Sequence, residues 1–496
     1  MLLRNLHILS MDPSIGELAS ADILIEGERI AAIGADLTAG AETETIDCRG
    51  LLALPGLINA HLHSPANFMK GALDGSPLEI FMLYEVPPLG DTPEPPRLNY
   101  LRTMLGAIEM LKLGITTVLD DAFFNPIVTS AAIDAIMGAY RDIGMRARVA
   151  LDQPTAIEYD KHPYLEEILP AAEREQMANA PRQSEPELLE IYGDFIGRWH
   201  GLENGRLGCA VSCSAPQRVS GDYLSTLTEI AKKHDLAFNI HMLETRLQRV
   251  LGDVKYGKSL VRYVDDLGAL DERKLVIHAI WVDEDDTELL AQSGCSVAHN
   301  PVCNMRLGSG VMPFRKLREA GVSICLGTDE AAGDDTLSLW NVMKMTGLVH
   351  NTASPDWHTW PKAAEILDCA FPNGARALRL ENQIGVLRPG ALADLTLLRL
   401  DSLAFTPLND LCRQLVYCEN GSDVAKVFVA GRQVVEDRQI LTIDETAIRA
   451  EILELSGQLR QQWSTTAAHA TRLEPYYREM YERSLAHAVP MNRWLR

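Results

Sequence analysis

Apolar and polar residues follow two alternating patterns along most of the chain. Short apolar runs, typical of buried strands, are separated by longer stretches with helical periodicity. One such stretch carries Leu224, Leu227, Ile230 and Ala231 at helical spacing. The eight predicted strands span residues 54–63, 116–122, 146–153, 207–215, 237–243, 274–280, 296–301 and 323–329. Eight strands that alternate with helices predict an α/β fold, a (β/α)8 TIM barrel.

The two ends of the chain show a different pattern, typical of β-hairpins. Apolar runs flank the turn residues Gly27 and Glu28 near the N-terminus, and further apolar runs flank Gly431. We predict that residues 1–55 and 385–445 pair into one small composite β-sandwich domain formed by both chain ends.

The remaining residues divide between the barrel and a tail. The barrel takes residues 56–384, more than the about 250 residues that this fold usually needs, so insertions are expected. We predict that residues 154–205 form a loop-plus-helix insertion near the barrel mouth. Residues 446–496 form a helical tail, which we expect to dock on its own barrel, with a dimer contact as the alternative. Its apolar positions at helical spacing are Ile448, Ile452, Leu455 and Leu459.

Composition and charge narrow the functional classes. The chain has 496 residues, of which 47% are hydrophobic, and a formal net charge of −22. Duplex phosphates would be repelled by this charge, so we expect no nucleic-acid partner. No apolar run approaches the ~18 residues of a membrane span, and the nine cysteines include no C-x-x-C pair. We therefore expect a cytoplasmic protein without a membrane partner. We further expect a homo-oligomer, a dimer or larger, that acts on a small molecule.

The strongest local signal for chemistry is the pair His61 and His63, at the end of the first predicted barrel strand. Residues two apart in a strand point to the same face, so both imidazoles aim at one point. An H-x-H pair alone is a weak motif. Its position adds weight, because His241, His278, His299 and Asp329 also lie within or at the end of later predicted strands.

The carboxyl ends of barrel strands converge on one mouth, where catalytic groups gather. Imidazoles and a carboxylate brought together there suit one divalent metal, with Zn²⁺ as the first choice and Fe²⁺ or Mn²⁺ as alternatives. Cys209 and Cys213 have no partner pair nearby, and we interpret them as small buried apolar residues.

Five stretches resemble the motifs of the amidohydrolase superfamily. They read PGLINAHLHS, HMLET, IHAIWV, AHNPVCNMRLGSG and GTDEAAGDD. More narrowly, they resemble the branch that contains S-adenosylhomocysteine/methylthioadenosine deaminases and triazine hydrolases. The resemblance covers nearly the whole chain, including the closing GVLRPGALADLTLL. It implies a metal-dependent hydrolase of cyclic amidines that attacks the ring with metal-bound hydroxide.

The resemblance also implies a role for each residue that matches a motif. His61, His63, His241 and Asp329 would be the metal ligands. Asp329 would also take a proton from the attacking water, and His278 would polarise that water. Glu244 would carry a proton to the substrate's ring nitrogen. Two-metal relatives use a lysine on the fourth strand, and the fourth strand here has none, which favours one metal.

Substrate contacts are less closely defined, because the chain departs from the family pattern around them. Ser214 and Gln217 stand where many relatives have His and Tyr, which argues against an adenosine-type nucleoside as substrate. Glu330 follows the metal aspartate, where relatives often have Gly, and could accept hydrogen bonds from amino groups. Glu85, Gln217, His299 and Glu330 are the candidates for substrate contact.

Three interpretations stay open at this point. The first is a deaminase of a purine, pterin, pyrimidine or triazine that releases ammonia. The second keeps the site but removes alkylamine or halide from a triazine-like ring; Glu244 favours deamination, because a halide needs less help from a proton donor. The third is a scaffold that has lost catalysis, which the intact ligand positions disfavour.

Overall fold

The computed structural model describes residues 1–89 and 94–494. The strands are β1 (Leu2–Leu9), β2 (Glu17–Glu26), β3 (Arg29–Gly34), β4 (Thr45–Asp47), β5 (Leu51–Pro55), β6 (Leu57–His63), β7 (Ile115–Phe123), β8 (Arg146–Asp152), β9 (Leu207–Cys209), β10 (Val211–Ser212), β11 (Phe238–Met242), β12 (Lys274–His278), β13 (Ser296–His299), β14 (Ser323–Leu326), β15 (Asp329–Glu330), β16 (Leu395–Arg399), β17 (Val424–Val429), β18 (Arg432–Glu436) and β19 (Gln439–Ile440).

The helices connect these strands and cover them. They are α1 (Leu78–Glu85), α2 (Pro96–Lys112), α3 (Ser130–Ile143), α4 (Leu165–Ile168), α5 (Ala171–Asn179), α6 (Glu185–Trp199), α7 (Gly221–His234), α8 (Arg246–Leu251), α9 (Leu260–Asp266), α10 (Glu284–Ser293), α11 (Pro301–Arg306), α12 (Phe314–Glu319), α13 (Ala331–Asp334), α14 (Leu339–Ala353), α15 (Ala363–Ala370), α16 (Pro372–Ala377), α17 (Leu411–Tyr417) and α18 (Glu445–Ala486).

The barrel is built from two five-stranded parallel sheets, in the orders β15-β6-β7-β8-β9 and β10-β11-β12-β13-β14. Strands β9 and β10 are consecutive pieces of the fourth barrel strand, and β14 and β15 are pieces of the eighth. β15 pairs with β6, Asp329 opposite Leu62, which closes the ring. The predicted TIM barrel is confirmed, although its fourth strand ends at Ser212 rather than at residue 215.

Both chain ends contribute to one further sheet, as the hairpin patterns predict. Its strand order is β19-β18-β17-β16-β5-β1-β2-β3, with β4 on β1. β5 and β16 join the two ends antiparallel, with Leu52 opposite Leu398. The composite β domain is thus confirmed, and its nine strands form a single hydrogen-bonded sheet. The unit boundaries at residues 55, 384 and 445 stay a prediction.

A buried ion pair connects the barrel to this sheet. Arg146, at the start of β8, donates from Nε and Nη2 to the two carboxylate oxygens of Asp394, at 2.6 and 3.0 Å. The backbone N–H of Ala430 also donates to Asp394. Both charged side chains are almost fully buried, so each depends on the other for its electrostatic partner.

The tail docks on its own chain, as predicted from its periodicity. Helix α18 packs against α1, α4 and α8. The apolar cluster between them includes Leu83, Leu165, Leu247, Tyr477 and Met480. Because α4 and α5 belong to the insertion, the tail helix also supports the elements beside the barrel mouth. Among the described helices, we find none with an apolar stretch that could cross a membrane.

Candidate functional site

Three imidazoles from two distant strands meet at the barrel mouth. His61 and His63 come from β6, and His241 comes from β11. Nε2 of His63 lies 3.3 Å from Nε2 of His241, and the ring of His61 lies edge-on to both. The alternation of side chains along β6 therefore brings both of its histidines to one point, as the H-x-H spacing predicts.

The outer nitrogens of the three rings all have oxygen acceptors. Nδ1 of His61 donates to Oδ1 of Asn239 at 3.1 Å. Nδ1 of His63 donates to the Asp121 carbonyl at 2.6 Å, and Nδ1 of His241 donates to the Ser214 carbonyl at 2.8 Å. Because each proton is at Nδ1, each Nε2 presents a lone pair to the centre, the arrangement found in metal-ligating histidines.

Two aspartates adjoin this centre on different sides. The carboxylate of Asp329 lies 3.5 Å from Nε2 of His61 and 3.7 Å from Nε2 of His63. Asp121 forms a compact group with the three histidines, with ligand atoms within 4.8 Å of one another. However, its Oδ2 accepts a 2.5 Å hydrogen bond from Asn239 and faces Nδ1 of His241, the protonated side. Asp329 faces the lone pairs, so it is the better placed fourth ligand.

The donor set fits a divalent cation. Nε2 of His61 is buried and has no hydrogen-bond partner among the described residues. The Nε2 atoms of His63 and His241 are opposed lone pairs that cannot bond to each other. A cation among the three would satisfy all of them, and N/O sets of this kind suit Zn²⁺.

The pKa shifts of His63, His241 and Asp329 favour the protonation states in which these side chains bind a metal. Burial, followed by the charge of His61, lowers the pKa of His63, and the same two causes hold the pKa of His241 well below its usual value. Burial raises the pKa of Asp329, but the imidazoles beside it, His61 first, outweigh burial and hold the pKa well below the usual range. Neutral imidazoles and an ionised carboxylate are the ligand forms of these residues.

Two further groups face the same centre. Nε2 of His278, at the end of β12, lies 3.6 Å from Asp329 and 3.4 Å from Oε2 of Glu244. Asn304 Nδ2 lies 2.9 Å from Nδ1 of His278 and donates to it, which leaves the His278 proton on Nε2, toward the centre. Burial, and then the charge of Asp329, raise the pKa of Glu244 well above its usual value. Burial therefore favours the protonated form of the Glu244 carboxyl group.

The backbone at the strand ends is in an unusual conformation. His278 has a φ of 76° and Asp329 a φ of 62°, in the left-handed region that side chains rarely adopt. Strain of this kind often accumulates at functional sites. Gly327 permits the turn before Asp329, because a Cβ there would lie 2.6 Å from Oδ1 of Asn300 and 2.9 Å from Cβ of His61.

A cleft of about 1340 Å³, its open mouth included, leads to the centre. His63, His241, His278, Glu244 and Asp329 lie on its floor. Its walls come from α1, the end of β7 and the segment after it, the predicted insertion and the segment after β10, including Met82, Phe123, Pro154, Met177 and Arg218. The insertion thus lies at the mouth, as expected from its sequence position.

The comparisons with known proteins agree with this geometry. Residues 52–434 match the model of the amidohydrolase family. The chain belongs to the amidohydrolase family. It is 32% identical to a 5-methylthioadenosine/S-adenosylhomocysteine deaminase of Thermococcus kodakarensis, over 87% of this chain and 93% of the relative.

Two solved amidohydrolase structures resemble the fold closely. A triazine hydrolase variant has a TM-score of 0.82 at 25% identity and covers 92% of this chain and 98% of its own. An adenosine deaminase of Xanthomonas campestris with bound zinc has a TM-score of 0.80 at 25% identity, with 93% and 98% covered. The resemblance that the sequence motifs show to deaminases and triazine hydrolases is therefore confirmed.

The four candidates for substrate contact have different positions in this amidohydrolase. Glu330 lines the cleft, and Glu85 lies behind it at the end of α1. Gln217 lines a smaller neighbouring cavity instead. His299 is not among the residues of the cleft wall; its Nε2 lies 3.0 Å from Nε2 of His350 on helix α14, outside the barrel.

Several residues of the site are not predicted from the sequence. Asn239 and Asp121 orient the imidazoles, and Asn239 has a sequence signal, because it lies two residues before His241 and so shares its face of the strand. Arg218 and His162 also line the cleft. His162 comes from the insertion, for which the sequence predicts only loop and helix, and its contribution depends on the tertiary fold.

Proposed function

We propose that this amidohydrolase is a metal-dependent hydrolytic deaminase of an N-heterocyclic amine, and that it releases ammonia. The observation that carries the proposal is Glu244, a buried acid whose Oε2 lies 3.4 Å from Nε2 of His278, beside the three imidazoles. Deamination of a cyclic amidine requires a proton on the ring nitrogen next to the attacked carbon. Glu244 can supply that proton.

We assign the metal ligands as His61, His63, His241 and Asp329, with Zn²⁺ as the first choice and Fe²⁺ or Mn²⁺ as alternatives. The lone pairs of the three Nε2 atoms and the contacts of Asp329 to His61 and His63 support this set. A divalent ion bound there would lower the pKa of a coordinated water to about 7.

Asp329, His278 and Glu244 have different roles in the proton transfers. Asp329, held ionised, accepts the proton of the attacking water on its carboxylate. His278 carries its proton on Nε2 and donates a hydrogen bond to the oxygen as charge develops there. Glu244 protonates the ring nitrogen, Asp329 passes the proton that it took from water to the amino group, and the amino group leaves as ammonia.

The cleft supports a small heterocyclic substrate. Its apolar walls, such as Met82, Phe123 and Leu307, suit the faces of a flat ring, and its polar groups are concentrated on the floor. Ser214 stands where many relatives have His, which argues against a standard adenosine subsite. Its Oγ accepts a hydrogen bond from Arg218.

A product screen tests the proposal. Metal-replete protein is incubated with aminated purines, pterins, pyrimidines and triazines, and ammonia, alkylamine and chloride are each measured. We expect ammonia from at least one aminated ring. Stoichiometric metal without any product from the panel would overturn the proposal and favour a catalytically inactive scaffold.

The second candidate is hydrolytic removal of alkylamine or halide from a triazine-like ring. The similarity to a triazine hydrolase variant, at a TM-score of 0.82, favours it. The same ligands and the same nucleophile would serve this reaction. Release of alkylamine or chloride in the screen, without ammonia, would support it over deamination.

We further propose that the protein acts in the cytoplasm as a homo-oligomer, a dimer or larger. All nine cysteines are free thiols, which suits a reducing compartment. Leu453 is 70% exposed on α18 and offers apolar surface to a second copy. Light scattering on the purified chain tests the oligomeric state.

A further inference from the structure

Two buried carboxyl groups lie side by side next to the metal centre. Glu330 directly follows Asp329 and is 5% exposed on the cleft wall. Glu85 ends α1 and is 8% exposed. The two carboxyl groups are in contact with each other.

Glu85 and Glu330 have carboxyl oxygens that receive no hydrogen bond from any described residue. Both carboxyl oxygens of Glu85 and Oε1 of Glu330 are buried without a donor from the rest of the described chain. Arg102 lies near enough to affect Glu85, but its Nη1 donates to Glu94. A buried carboxylate without donors is costly, so such a group indicates that a ligand supplies them.

The unpartnered carboxyl oxygen of Glu330 makes this part of the cleft wall an acceptor surface. Such a surface suits an N–H group of a ligand and disfavours a carbonyl or carboxylate.

We propose that the substrate carries, besides the amino group that leaves, a second N–H donor group that binds Glu330, with Glu85 holding that carboxylate in place. The substrate class is then a diamino heterocycle rather than a ring with one amino group. This inference deepens the proposed deaminase function and rests on it for the identity of the leaving group. Glu330 is a specificity-determining residue, and Glu85 is its positioning residue.

Matched substrate pairs test the proposal directly. Each pair differs only in the second amino group: adenosine with 2,6-diaminopurine riboside, and 4-aminopyrimidine with 2,4-diaminopyrimidine. Since a hydrogen bond to a charged group is worth roughly a 10- to 100-fold factor, we expect wild-type kcat/KM to favour the diamino member by about that ratio in at least one pair. Equal kcat/KM values within both pairs would overturn the inference, whereas the ammonia released would still support a deaminase.

Substitutions test which residue causes the preference for the diamino substrate. Glu330→Gln is expected to reduce the diamino preference at least about tenfold, because an amide offers a weaker acceptor. Glu85→Gln is expected to reduce it by a smaller factor. Glu187→Gln is the control: its carboxylate accepts from Ser184 at the start of α6, outside the cleft, and the ratio of kcat/KM values is expected to stay unchanged. Metal content and thermal unfolding are measured for every variant. A preference that survives Glu330→Gln in a folded, metal-loaded protein would overturn the assignment.

A binding measurement separates this inference from the function on which it rests. Calorimetry with the Glu244→Gln protein, which lacks the proposed proton donor, measures the Kd of both members of each pair without turnover. Tighter binding of the diamino member, without ammonia release from any ring by wild-type protein, would overturn the deaminase and retain the recognition role of Glu330. Equal Kd values would overturn that role whatever reaction the protein catalyses.

Discussion

The carboxylate of Asp329 lies 3.5 Å from Nε2 of His61, although the two residues stand at opposite ends of the barrel sequence. They meet because β15 pairs with β6 and closes the ring, so the last barrel strand is the direct neighbour of the first. This neighbourhood brings the carboxylate of Asp329 to the imidazoles of His61 and His63.

The first prediction separates the two aspartates at the centre. Asp329→Asn is expected to reduce bound metal from about one ion per chain to a small fraction, because a charged ligand becomes a neutral amide. Asp121→Asn is the matched control and is expected to keep the metal, since Asp121 supports Asn239 and presents its backbone carbonyl to His63. Elemental analysis of both variants decides, and a reversed pattern would assign the ligand role to Asp121.

The second prediction concerns the proton donor. Glu244→Gln is expected to lower kcat by about 10²- to 10⁴-fold while metal content stays at the wild-type level, because the amide keeps the shape of the side chain but has no acidic proton. Ammonia release at saturating substrate measures the effect. A variant with wild-type kcat would remove Glu244 from its assigned role.

The third prediction concerns the residues behind the ligands. Asn239→Ala removes the acceptor of His61 Nδ1, so we expect metal affinity to fall about 10- to 100-fold. Asn373→Ala is the control, because that amide donates to the Ile324 carbonyl at 2.9 Å and has no contact with an imidazole. Competition with a chelator gives both affinities. Equal affinities would mean that Asn239 does not orient the ring.

The fourth prediction concerns stability. Asp394→Ala leaves Arg146 buried without its charge partner and is expected to cost about 3–5 kcal/mol in the free energy of unfolding. Asp437→Ala breaks an exposed ion pair with Arg399 in the same sheet and is expected to cost less than about 1 kcal/mol. Denaturant unfolding compares the two, and similar losses would contradict the role of burial.

Much of this architecture follows from local sequence patterns. The periodicity of apolar residues predicts eight strands with helices between them, and the hairpin turns at Gly27 and Gly431 are found with φ values of 58° and 72°. The H-x-H spacing places His61 and His63 on one face of β6. These features could be predicted because they depend on residues that are neighbours in the chain.

The contacts of the site could not be predicted in the same way. Glu85 contacts Glu330, and Asp329 rather than Asp121 faces the lone pairs of the imidazoles. Both arrangements depend on how distant loops meet at the barrel mouth. His299 also ends a barrel strand, yet its ring is directed away from the mouth, to His350 on helix α14. Sequence determined the strands, their alternation and the identity of the chemical groups. Tertiary structure decided which groups share a cavity, because side-chain direction at a strand end is set by packing and by backbone strain, and neither is encoded in local periodicity.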